Sequence, residues 1–222
     1  MEVLIKLNNQ TNGRDKMARL IQYSARSAWY ILHQHKLVNP KSVDNLKSLE
    51  YNMATFRKLL RFGRFADHLY MAMFGNMSSI RLIALASTTA KLAYAAFLLC
   101  DHIIWIARIG LIDADTERWS KSSYRYWAIT VSLQLLIDVY EIYKVVNSKK
   151  SREKTNEILL RLVRCRKDLV LDTLKNLCDL IIPLTGLGMI RTSPGLVGAV
   201  GMLTSVAGLV TLIDPQYKFS VS

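Results

Sequence analysis

Apolar residues recur at helical spacing through most of the chain, and no long stretch alternates apolar and polar as a half-buried strand would. The pattern predicts an all-α protein. A first helix is expected from Asn12, as N-cap with Asp15 at the third helical position, to about Lys36. Its apolar stripe is Met17, Leu20, Ile21, Ala25, Ala28, Ile31 and Leu32, and Pro40 breaks it. A second helix is expected from about Ser42 to Phe74, stopped by Gly75-Asn76. Within it, residues 56–74 are the most asymmetric part of the chain. On a wheel of about 100° per residue, Arg57, Arg61, Arg64 and His68 fall within about 60° of one another. Leu59, Phe62, Phe65, Ala66, Leu69, Tyr70 and Met73 spread over the other side. Two placements fit: a helix lying in a bilayer interface, or a bundle helix with a solvated basic face.

Long apolar helices follow. Ser79–Gly110 is interrupted by Lys91, Asp101 and His102, and Trp119–Val146 by Asp138, Glu141 and Lys144, so neither offers the roughly 20 uncharged residues of a clean span. Both fit burial in a soluble bundle, or a membrane crossing with polar groups turned to neighbouring helices. Residues 147–156 are a charged linker or helix start, and a helix from Thr155 to Ile182 is expected to end at Pro183. Thr192–Ile213 then holds 22 residues without a charge, long enough to cross a bilayer. Gly198, Gly201, Ser205 and Gly208 give it a stripe of small residues, a surface that lets another helix approach closely in lipid.

The segment 100–104 (CDHII) echoes 178–182 (CDLII), and the alignment continues to Gly110 with Gly188 and Ile112 with Ile190, six identities in thirteen positions. As a repeat it makes two helical hairpins, Ser79–Gly110 with Trp119–Val146 and Thr155–Ile182 with Gly195–Ile213. Three regions of one integrated domain are expected: a basic amphipathic, cytosolic, membrane-interface region at 1–78, an apolar hairpin at 79–147, and a basic helix, short loop and transmembrane helix at 148–222.

Charge sharpens this division. The net charge is +13, with 12 basic against 5 acidic residues over 1–79, 7 against 6 over 80–147, and 9 against 5 over 148–190. Basic blocks alternating with apolar ones favour an anionic lipid surface over nucleic acid, and the uncharged 192–213 segment argues against a soluble nucleic-acid binder. Keeping both basic blocks on one side places both termini and residues 148–156 in the cytosol. Cys100, Cys165 and Cys178 are too widely spaced for a disulfide framework or a zinc site. No signal peptide opens the chain. His33 and His35 point in different directions on a helix, and Asp101 and Asp179 read as helix-packing polar groups. No catalytic constellation, cofactor motif or metal set is expected, and so no enzyme.

Several segments together resemble the peroxin-11 family, in its animal alpha/beta-like branch. They are Gly13-Arg14-Asp15-Lys16 with Arg19, Gln22-Tyr23 and Arg26, the run 56–63 (FRKLLRFG), Cys100-Asp101 with Trp105, Gly110-Leu111, and Trp119 with Tyr124-Arg125-Tyr126 and Tyr140-Glu141-Ile142. The series closes with Asn176, Cys178-Asp179, Ile182-Pro183-Leu184, Leu187-Gly188, Pro194-Gly195 and Val197-Gly198. The linker near Ser148–Asn156 is compact where some relatives carry a long Gly-rich insert. The resemblance implies a multi-pass peroxisomal membrane protein that self-associates and curves the bilayer. It also implies delivery by the peroxisomal membrane protein import receptor, and recruitment of the tail-anchored fission adaptor and the dynamin-related GTPase. The family is usually drawn with two spans, against the two hairpins read here.

The expected mechanism is a wedge. A helix inserted about 5–10 Å into one leaflet expands that leaflet. Arg57, Lys58, Arg61 and Arg64 are expected to hold it on anionic headgroups, at about 1 kcal/mol each, with Leu59, Phe62, Phe65 and Leu69 as the inserted face. The alternative is a helical pore for small metabolites, its path lined by Lys91, Asp101, His102 and Asp179.

Overall fold

The structure is a computed structural model that describes residues 2–36, 39–75, 80–147, 166–217 and 219. Among them are eight α-helices and no strand: α1 Glu2–Asn8, α2 Thr11–Gln34, α3 Pro40–Leu60, α4 Arg64–Phe74, α5 Arg81–Arg108, α6 Thr116–Asn147, α7 Lys167–Gly186 and α8 Pro194–Ile213. A 3₁₀ turn, Pro215–Tyr217, follows.

The boundaries correct the sequence expectations where backbone chemistry intervenes. Asn12 is not an N-cap: α2 opens at Thr11 behind Gln10, directly after α1. Pro40 starts α3 rather than merely ending α2, because at the first helical position its missing N–H costs nothing. The single helix expected over 42–74 is two, since Gly63 takes φ 80°, a left-handed conformation that breaks the helical run between Leu60 and Arg64. Pro183 lies inside α7, and that helix runs on to Gly186, followed by the left-handed Gly188 at φ 75°. Ser193 caps α8, its hydroxyl accepting from the Leu196 N–H at 3.2 Å.

The helices pack as a closed circuit, α2 on α3, α3 on α5, α5 on α6, α6 on α7, α7 on α8 and α8 back on α2, with α4 laid against α5. The two expected helix pairs, α5 with α6 and α7 with α8, are present in it. The echo has a structural counterpart as well. Asp101 and Asp179 are both buried and both take arginine partners, and each precedes a left-handed glycine, Gly110 or Gly188, by the same interval.

Beside an apolar core that includes Ile83, Leu98, Ile104 and Leu169, the circuit buries a cluster of polar groups and leaves many large apolar side chains outside. Asp101, Asp138, Glu141, Asn176 and Thr204 are each 1% exposed, while Leu85 is 68%, Leu203 65%, Met73 66% and Phe74 67% exposed. A water-soluble bundle sorts residues the other way. Among the described residues two helices, α5 and α8, are long and apolar enough to cross a membrane. The inversion suits a bundle whose solvent is lipid.

Candidate functional site

Two features are candidates: the polar interior and the outer face of α3–α4. The interior is assembled from stripes of polar residues on helices that are otherwise apolar. On α2, Asp15, Arg19, Gln22 and Arg26 recur at helical spacing and turn inward, where α3 meets them with Arg57, Lys58 and Arg61.

Asp15 is the hub of the first cluster. Its Oδ1 accepts from Arg57 Nε at 3.0 Å and lies 3.7 Å from Arg61 Nε, while Arg57 Nη1 donates to Gln22 at 2.7 Å. Burial pushes the Asp15 carboxyl upward, but Arg57 and then Arg61 overrule it and hold it well below the usual carboxylate range. Arg61 also reaches Asp101 on α5, Nη2 to Oδ2 at 2.7 Å, and Lys58 pairs with the other oxygen of that carboxylate. His102 Nε2 stands 3.1 Å from the Arg61 carbonyl, and since a carbonyl only accepts, that nitrogen holds the ring proton.

A second cluster ties α2 to α7 and α8. Arg19 pairs with Asp179 and donates from Nη2 to Thr204 at 3.0 Å, its guanidinium lying over the Tyr23 and Trp127 rings. Farther along α2, Arg26 donates to Glu50 at 2.6 Å, and Trp29 Nε1 donates to the same carboxylate at 2.7 Å. Between these clusters lies a half-open cavity of about 790 Å³.

The basic sector of residues 56–74 is therefore not the headgroup-facing surface expected of it. Arg57, Lys58 and Arg61 are engaged inside the circuit, and Arg64, half-buried, lines the same cavity. Helical periodicity gives a side, not a direction, and here the polar side faces the interior. Of the four apolar residues, Leu59, Phe62 and Leu69 are exposed, while Phe65 is half-buried against His102 with ring centroids 5.7 Å apart. Phe62 rests on His102 and Trp105 at its base yet remains 53% exposed.

The small-residue stripe of α8 is occupied within the chain. A Cβ on Gly198 would fall 2.6 Å from Ser27 Oγ, one on Gly201 2.3 Å from the Tyr23 ring, and one on Gly208 3.1 Å from the Lys16 stem. Ser205 is fully buried and donates to the Gly201 carbonyl at 2.6 Å. Close approach in lipid is realised by α2, which runs antiparallel to α8, so the stripe is not a free face for a second copy. Of the residues expected along a pore, Lys91 and Asp179 line the cavity. Asp101 and His102 are tied to Arg61 in the first cluster.

Sequence reasoning missed Asp15, Arg19, Glu50 and Asn176 as members of a connected interior. The available signal was the polar stripe at 15, 19, 22 and 26, set beside the apolar stripe of the same helix. The charged linker at 148–156, Arg161, Arg164 and Cys165 lie outside the described residues.

Comparison with known proteins places this architecture. A family model described as Peroxisomal biogenesis factor 11 (PEX11) matches residues 1–213. The chain is 31% identical to Peroxisomal membrane protein 11A of Bos taurus over 98% of each chain. It is 28% identical to Peroxisomal membrane protein 11B of Homo sapiens over 98% of this chain and 99% of that one. It is 26% identical to Peroxisomal biogenesis factor 11 of Schizosaccharomyces pombe over 91% and 90%. No solved structure matches.

Proposed function

This chain belongs to the Peroxisomal biogenesis factor 11 family, and from that premise we propose that it elongates and proliferates peroxisomes by curving their membrane through the outer face of α3–α4. The observation that supports this reading is the apolar run Phe62, Leu69, Tyr70, Met73 and Phe74. These side chains are 41–67% exposed along α4 and the turn before it, beside the end of α3 where Arg57, Lys58 and Arg61 turn inward. A contiguous apolar patch of this kind marks a lipid or partner surface. α4 is short and is set off from α3 by the Gly63 break, so it inserts as a wedge beside α5.

The division of labour differs from that of a basic interfacial helix. Leu59, Phe62 and Leu69 enter the leaflet, with Phe65 as the seat of α4 on α5, while Arg64 lies on the cavity wall. Arg57, Lys58 and Arg61 hold the wedge on the bundle. Self-association, cytosolic termini, and the import receptor, fission adaptor and dynamin-related GTPase as partners are carried over as parts of the same proposal.

The test is a pair of double variants. Phe62→Ala with Leu69→Ala is expected to cost about 1–2 kcal/mol, from the lost ring contacts of Phe62, and to leave the chain folded while vesicle tubulation and peroxisome elongation are lost. Arg57→Glu with Arg61→Glu is expected to unfold the protein rather than detach it. Normal elongation by the folded Phe62/Leu69 variant rules the wedge out.

A second reading, a pore for small metabolites, is favoured by one observation: six helices close around a polar cavity whose wall includes Lys91 and Asp179. On that reading, Asp179→Asn changes the ion selectivity of reconstituted channels. Membranes that stay non-conducting with the wild-type protein remove it.

A further inference from the structure

The cavity wall is not electrically balanced. It presents eleven Lys or Arg side chains against five Asp or Glu. Asp101, just behind the wall, raises the carboxylates only to six. Most of the cations have an assigned partner. Arg57 and Arg61 share Asp15, Arg61 and Lys58 share Asp101, Arg19 takes Asp179, Lys175 takes Asp172 and Arg26 takes Glu50. The cluster on Asp15 and Asp101 alone holds three cations on two carboxylates.

Two groups at the α2–α7 wall are left over. Lys16 makes no hydrogen bond or ion pair with any described residue, although it lies close enough to Arg19, Asp15, Asp179 and Lys175 to feel all four charges. Arg19 is only 5% exposed, yet its Nε has no hydrogen-bond partner. A buried guanidinium N–H without an acceptor, beside an unpaired ammonium, is costly unless an anion completes the site.

We propose that the cavity holds a phosphate-bearing anion, bound at the α2–α7 wall by Lys16 and the free Nε–H of Arg19, with Lys175 beside them. Phosphate suits the donors: its oxygens take the guanidinium N–H and the ammonium in charge-assisted bonds, and its charge offsets the surplus of the cavity wall as a whole. At about 790 Å³ the space is of the size that takes a small organic ligand rather than a bare ion. The half-open cavity admits two sources of the same chemistry, a soluble phosphate compound or the headgroup of a phospholipid. The proposal is independent of the wedge, and it does not need the cavity to conduct, since a retained anion occupies the space.

The test uses the full chain in two arms. In the first, protein in phosphatidylcholine nanodiscs is unfolded thermally across a pyrophosphate titration, with sodium chloride at matched ionic strength as the control. In the second, native mass spectrometry counts phosphatidic acid molecules retained after exchange into uncharged detergent. A saturable rise in Tm with pyrophosphate assigns a soluble ligand, and one retained phosphatidic acid per chain assigns a lipid headgroup. In whichever arm responds, Lys16→Gln raises the half-saturating concentration at least tenfold or removes the retained lipid, and Lys16→Arg preserves binding. Ligand-free Lys16→Gln is expected to be as stable as wild type or more so, because it loses an unpaired charge. The proposal is overturned if neither arm responds in the wild-type protein, a result that needs no variant to fold, or if Lys16→Gln binds as tightly as wild type.

Discussion

Asp15 holds more of the interior together than any other single side chain, because two arginines of α3 converge on it. Asp15→Asn leaves both guanidiniums partly unpaired in a buried site, and the loss of such a partner costs about 3–5 kcal/mol. The pH dependence has a definite sign. The folded carboxyl titrates below its unfolded value of roughly 4, so its contribution is complete above that pH and fades as pH falls through the depressed value. Unfolding of wild type and Asp15→Asn should therefore differ most at neutral pH and converge in strong acid. A constant gap across that range contradicts the pairing. At this scale the sequence was only partly readable. That Asp15 and Arg19 sit on a helix was clear. That they face one another's partners across the bundle was not, because a charge in a list carries no sign of what it meets.

Among the elements, α8 shows how a correct pattern admits more than one partner. Its small-residue stripe was legible from spacing alone, and close helix approach follows from it. The approaching helix is α2 of the same chain, with Tyr23 seated on Gly201. Gly201→Leu is accordingly expected to lower the amount of folded protein without shifting the oligomeric state of what remains, read by crosslinking. Tyr23→Ala should recover part of the loss by vacating the space, a coupling that a double-mutant cycle detects. An unchanged abundance for Gly201→Leu, with weakened self-association, returns the stripe to the oligomer. The break between α3 and α4 was missed for a related reason. The wheel of residues 56–74 runs through Gly63 without a fault, and only the backbone angle there interrupts it.

For the molecule as a whole, the sequence conveyed the helical class, the paired helices and the strongest candidate span. It did not convey inversion. Amphipathic spacing is the same whether the polar face meets water or a polar cavity, and only the assembled circuit decides. Topology follows as a prediction: a tag at residues 148–156 is expected to be cleaved by protease added outside intact peroxisomes. Protection there, with cleavage at the C-terminus, would replace the two-hairpin arrangement with the two-span one.

The α2–α8 contact also sets a schedule. Arg19 meets Asp179 and Thr204, which follow it by 160 and 185 residues. At about 5–20 residues per second of synthesis, the early helix waits roughly 8–40 s for the surface it will cover. Over that interval Arg19 has no counter-ion, whereas Arg26 and Asp15 of the same helix find theirs on α3 after 24 and 42 residues. The circuit can be completed only once α8 has left the ribosome, so Arg19 stays without its partners through nearly all of synthesis.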